Sequence, residues 1–184
     1  MVDEIYQNTK ERMDKAIAHF QAELTSVRTG RASTSLLDTL TVEFYGTMNP
    51  LKNIALVSAP DAQLITIQPY DPNALEAIEK AISVSDIGIN PNNDGTIIRL
   101  SIPPLTEERR KELVKVVHSI IEEGRISIRN IRRDANEKLK TLEKNHDLSE
   151  DNLKIELENI QDITDQYIKK LNETQDLKEK DILL

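Results

Sequence analysis

Residues 107–145 read EERRKELVKVVHSIIEEGRISIRNIRRDANEKLKTLEKN, and this stretch decides the fold. Leu113, Val116, Val117, Ile120, Ile121, Ile128, Ile131, Ala135, Leu139 and Leu142 recur at helical spacing. Placed at about 100° per residue, they fill one arc of a helix. Arg110, Lys111, Lys115, Arg125, Arg129, Arg132, Arg133, Lys140 and Lys144 fall on another arc, with Glu122 and Glu143 among them. Pro103-Pro104 cannot continue a strand ladder, and no proline follows it. Thr106 is an acceptable N-cap, and Glu107 and Glu108 suit the positive end of a helix dipole. The helix is expected to run to a turn at Asn145-His146-Asp147. Its length would be roughly 58 Å, which points to a bundle.

Two further helices flank this one in sequence. Met13, Ile17, Phe20, Leu24 and Val27 form an apolar seam that stops before Gly30. Leu153, Leu157, Ile160, Thr164, Tyr167 and Leu171 form another, on a helix starting near Ser149. Three long amphipathic helices with one short loop predict a three-helix bundle. The middle of the chain has a different pattern. All seven prolines and every glycine except Gly124 fall between Gly30 and Pro104. Strands are expected at 40–45, 54–58, 64–68 and 97–102, a short helix at 73–83 and a loop at 90–95. The expected fold is therefore α+β: a bundle from 1–30 and 105–184, with a small β/α/β domain inserted at 31–104. The short connections at Thr29, Gly30 and Arg31, and at Ile102, Pro103, Pro104, Leu105 and Thr106, are candidates for a hinge.

The 184 residues carry a net charge of −8, with no Cys, no Trp and 3% aromatics. The missing cysteines exclude disulfides, thiolate metal sites and cysteine catalysis. No apolar run approaches the ~20 residues of a membrane span. The N-terminus lacks a signal-peptide core, so the cytoplasm is the expected location. The acidic total hides one positive segment: residues 107–133 carry net +3, and six of their eight cations are Arg. Arg125, Arg129, Arg132 and Arg133 have no acid among them until Asp134. Like charges so crowded repel, and an anionic partner relieves that. A charged helical face is ordinarily just solvated, and periodicity alone leaves both readings open. The scarcity of aromatics disfavours stacking on single-stranded bases; contact with the phosphates of folded RNA fits better. His19, His118 and His146 are scattered, and the sequence holds no HExxH, GxGxxG or GxxxxGK[ST] motif. The loop at 90–95 only faintly resembles a calcium loop, with Ser101 where the closing Glu would stand. No catalytic residue, metal site or cofactor is expected.

Several strings resemble bacterial ribosome recycling factors. They are Val27–Ala32 (VRTGRA), Tyr45-Gly46, Pro50-Leu51, Ile78–Ile82 (IEKAI), Asn90-Pro91, Pro103–Lys111 (PPLTEERRK) and Arg129–Asn136 (RNIRRDAN). They recur in order along essentially the whole chain, and the last two are highly specific. The resemblance implies an L-shaped protein of roughly tRNA dimensions that does no covalent chemistry. It implies binding to the ribosome after termination and splitting it into subunits with elongation factor G and GTP hydrolysis, releasing mRNA and tRNA. It also implies contact with large-subunit ribosomal RNA through Arg28, Arg31, Arg110, Arg129, Asn130, Arg132 and Arg133. The inserted domain is implied to be what elongation factor G pushes. A monomer is expected, with no membrane partner. Thr34 and Tyr70 depart from the family pattern, as does Gly124-Arg125. Gly124 falls on the buried arc, where close packing and a helix break both remain open. The competing reading is a structural coiled-coil adaptor without RNA binding, which explains the bundle equally well but not the Arg face.

Overall fold

A computed structural model describes all 184 residues as two compact units. Met1–Thr29 and Glu107–Leu184 form the first, and Gly30–Thr106 the second.

The first unit is three helices: α1 (Val2–Ser26), α4 (Glu107–Lys144) and α5 (Glu150–Leu183). Helix α1 buries Met13, Ile17, Phe20 and Leu24 of the seam its sequence predicts, together with Thr9; Val27, the last member of that seam, instead caps the helix in an extended conformation and is only half-buried. Thr9 satisfies its hydroxyl locally, donating to the Ile5 carbonyl at 2.7 Å. Helix α4 buries Leu113, Val117, Ile121, Ile128, Ile131, Ala135 and Leu139. Val116, placed on the buried arc by periodicity, is instead 45% exposed. It sits at the margin of that arc, which α1 and α5 do not cover. Helix α5 opens on Ser149, whose hydroxyl accepts from the Asn152 N–H at 3.2 Å, with Glu150 and Asp151 in the first turn. The turn before it is a Schellman closure. His146 adopts φ +62°, the Asp147 N–H reaches the Leu142 carbonyl at 2.9 Å, and the His146 N–H reaches Glu143.

Gly124 lies inside α4, facing both partner helices. A Cβ there would meet Leu171 Cδ1 on α5 and the Phe20 ring on α1, each at 3.3 Å. The glycine thus permits close packing and marks no break. Two phenols pin α1 to α5: Tyr167 donates to Asp14 at 2.7 Å, and Tyr6 donates to the Glu156 carboxylate.

The second unit begins with a hairpin of β1 (Thr41–Phe44) and β2 (Thr47–Pro50), followed by a single helical turn, α2 (Leu51–Ile54). Strands β3 (Ala55–Asp61) and β4 (Leu64–Pro69), helix α3 (Leu75–Val84) and strands β5 (Pro91–Asn93) and β6 (Ile98–Ser101) follow. The sheet is antiparallel, in the order β3-β4-β6-β5. Across it Ile65 pairs with Leu100 and Ile67 with Ile98, all fully buried. They join Leu75, Ile78 and Ile82 of α3 in the core. Residues 90–95, expected to be a loop, contain β5. Pro91 lacks an N–H, but β5 is an edge strand, where the missing donor is tolerated.

The chain's two passages out of this unit are fastened to one hairpin. The Ala32 N–H reaches the Ala62 carbonyl at 2.7 Å, and the Ile102 N–H reaches Gln63 at 2.8 Å. Gly30 lies against Leu105 with φ +70°, so closely that a Cβ would fall 2.5 Å from Leu105 Cγ.

Candidate nucleic-acid interface

The four arginines of α4 serve different ends. Arg125 is sheltered, its side chain 24% exposed. It is a tie to α5: its guanidinium donates to Asn172 at 2.7 and 3.2 Å and to Gln175 at 2.9 Å. It also pairs with Glu122 at 3.0 Å. Arg129 reaches the other oxygen of Glu122 at 3.3 Å. Hydrogen bonding from Arg125 chiefly, with Arg129 adding to it, holds the Glu122 carboxyl below its ordinary range. The run is therefore not wholly unpaired: one acid a turn away partly neutralises two of its members.

The other two remain available. Arg132 donates to the neutral Gln161 at 2.8 Å, which leaves its charge uncompensated. Arg133 is exposed and makes no hydrogen bond or ion pair. Asp134, the next acid in the sequence, is engaged elsewhere, by Arg12 on α1 at 2.8 Å. A depression of about 330 Å³ opens between these side chains, lined by Arg129, Asn130, Arg132, Arg133, Asn136, Glu137 and Lys140. Four cations against one acid make it a seat for anionic oxygens, and guanidinium forks suit phosphate.

Of the residues singled out from sequence, Arg129, Asn130, Arg132 and Arg133 thus come together. Arg110 lies nearer the start of α4, roughly 28 Å along the axis from Arg129, and donates to the Leu183 carbonyl at 3.0 Å. Arg28 is exposed in the first unit and Arg31 in the second. Sequence reasoning did not single out Asn136, whose Oδ1 is buried without a hydrogen-bond partner. Its position one turn beyond Arg132 and Arg133 was the available signal. The histidines pair separately: His118 with Glu179 at 2.6 Å and His19 with Glu23 at 3.3 Å. No group of acids and histidines is arranged to hold a metal ion, and no helix is long and apolar enough to cross a membrane.

These features define a class: a long three-helix bundle interrupted by a small α/β unit, with an arginine-lined seat for a polyanion. The family model described as ribosome recycling factor matches residues 20–183. Relatives named ribosome-recycling factor include one from Bacillus subtilis, 50% identical over 183 residues, with 100% of this chain and 99% of the relative covered. Another, from Nitratidesulfovibrio vulgaris, is 52% identical over 182 residues, covering 99% and 98%. A solution structure of a ribosome recycling factor superposes with a TM-score of 0.78 at 42% identity, over 99% of this chain and 97% of that one. The Thermus thermophilus ribosome recycling factor, described with Escherichia coli elongation factor G on the E. coli post-termination complex, gives 0.68 at 48% identity, over 100% of both chains. The chain belongs to the ribosome recycling factor family.

Proposed function

We propose that this chain binds the post-termination ribosome through the α4 arginine face and, with elongation factor G and GTP hydrolysis, splits it into subunits, releasing mRNA and tRNA. It catalyses no covalent step; the GTPase is elongation factor G. The work is done in the cytoplasm, by a monomer. The observation that carries the assignment of the face is the pairing pattern around it. Asp134 is diverted to Arg12, and Arg132 and Arg133 meet no acid. Such a face is electrostatically incomplete until phosphates dock. Arg28, Arg31 and Arg110 extend the RNA contact. An adaptor that binds only proteins gives the guanidinium groups of Arg132 and Arg133 no task.

The second unit is the part on which elongation factor G acts. Hydrogen bonds fasten the chain at Ala32 and Ile102, so bending concentrates in Thr29, Gly30, Arg31 and in Pro103, Pro104, Leu105 and Thr106, with Ile102 as the anchor. Binding to large ribosomal subunits should weaken steeply with salt. Arg132→Ala should cost about 1–3 kcal/mol of affinity and lower the salt slope by about one. Affinity indifferent to both would remove the arginine face from the mechanism. A cross-link between the two units should spare binding and block splitting in the presence of elongation factor G. Normal splitting by the cross-linked protein would show that no bending is required.

A further inference from the structure

We infer that Asn136 is a direct RNA-contacting residue, its side-chain oxygen accepting a hydrogen bond from a neutral donor such as a ribose 2′-hydroxyl. The inference rests on the arginine-face reading above. Asn136 lies at the centre of the basic cluster. Arg132 is one turn before it, Arg133 three residues before and Lys140 one turn after, so all neighbour it on the same side of α4. It lines the depression those cations share. The residue is only partly buried, yet its Oδ1 is sealed and no protein donor reaches it.

That arrangement is a poor one for the fold alone. A buried acceptor without a donor forfeits the hydration it had in the unfolded chain. Asparagine is also a weaker helix former than alanine. An alanine here would remove both penalties. The surrounding cations can satisfy phosphate oxygens, but they cannot satisfy a hydroxyl that needs an acceptor. Glu137 could accept, at the cost of a full negative charge beside the phosphates. A neutral amide supplies the acceptor without that repulsion, and it also donates through Nδ2. Contact with RNA requires a turn about its two side-chain torsions that brings Oδ1 out of its sealed position, a turn that the new hydrogen bond favours. A 2′-hydroxyl is present on every nucleotide of folded RNA and flanks the phosphates the arginines would hold.

The test compares Asn136→Ala with Arg132→Ala in the full-length protein, measuring Tm and the affinity for purified large ribosomal subunits over a range of salt concentrations. Asn136→Ala should keep or raise Tm, weaken binding by about three- to tenfold and leave the salt slope unchanged, because no charge is removed. Arg132→Ala should weaken binding and reduce the slope. Wild-type affinity for Asn136→Ala beside a weakened Arg132→Ala would overturn the role of Asn136 and leave the arginine face standing. An affinity loss accompanied by a fall in Tm would overturn it too, by making the residue structural. Wild-type behaviour in both variants would remove the arginine face itself.

Discussion

Replacing Gly30 with alanine measures how firmly the two ends of the inserted unit are locked together. Gly30 has φ +70°, and a Cβ would lie 2.5 Å from Leu105 Cγ and 2.9 Å from Leu105 Cδ1. The left-handed backbone costs an alanine about 1–2 kcal/mol. Overpacking adds about 1–3 kcal/mol. Alanine also restricts the unfolded chain, which returns about 0.4–1 kcal/mol. Leu105 is only half-buried, so its side chain can swing outward, and the packing cost falls at the lower end. The net loss is then about 2 kcal/mol, confined to the inserted unit. Because a chain of two units need not unfold in one step, native-state hydrogen exchange at the Ile65 and Ile67 amides of β4 is the suitable measurement. The double variant Gly30→Ala/Leu105→Ala should recover about 1 kcal/mol as a coupling energy. A loss below about 0.5 kcal/mol in Gly30→Ala, within the range of ordinary surface substitutions, would refute the reasoning. A coupling of zero would show that Leu105 is not the obstacle.

Other outcomes follow from the same kind of arithmetic. Gly124→Ala gains up to about 1 kcal/mol of helix propensity but crowds Phe20 and Leu171, both buried. Thermal unfolding should show a net loss of about 1 kcal/mol, and a gain would mean that those side chains yield freely. Burial, then hydrogen bonding to a carboxylate, pushes the Tyr6 and Tyr167 phenols up to about 12 from 10.0. Their contribution to bundle stability is complete below pH 10 and is lost as pH rises toward 12. A Tyr6→Phe/Tyr167→Phe variant should lose that part of the pH dependence in urea melts, and an unchanged profile would count against it. The Asp94 carboxylate accepts from the Ile97 and Thr96 N–H groups, the Thr96 hydroxyl and Arg99. These bonds, the backbone ones foremost, hold it well below the usual carboxylate range. Its contribution is present above pH 3.8 and fades only as pH falls toward that lower value. Exchange protection at Ile97 should therefore survive below pH 3.8, and in Asp94→Ala it should be lost already at neutral pH.

The helices were legible because each carries a stripe set by one or two long neighbours. Of the seam on α1, Met13, Ile17, Phe20 and Leu24 are buried as spaced, and only Val27, past the helix end, is not. Val116 misled because periodicity gives an arc's direction but not its width. Strand β5 was illegible for a related reason: Asn90-Pro91-Asn92-Asn93 has turn composition, and only the edge position makes Pro91 harmless. In the candidate site, the clustering of Arg129, Arg132 and Arg133 could be seen in one dimension. Their partners could not. Glu122 lies a turn or more back along α4, Gln161 comes from α5, and Arg12, which engages Asp134, comes from α1.

The close approach of Gly30 and Leu105 also bears on how the chain assembles as it is made. The inserted unit is complete once Thr106 has been synthesised, before any residue of α4 exists. Its folding draws together two points that an unstructured loop of that length would hold apart at an entropic cost of about 4 kcal/mol. The later docking of α4 on α1 is thereby made less costly in advance. Until α4 and α5 emerge, however, Met13, Ile17, Phe20 and Leu24 have no partner stripe. The nascent chain carries a finished insertion beside an unsheltered helix, and synthesis of the final helix sets how long that helix waits.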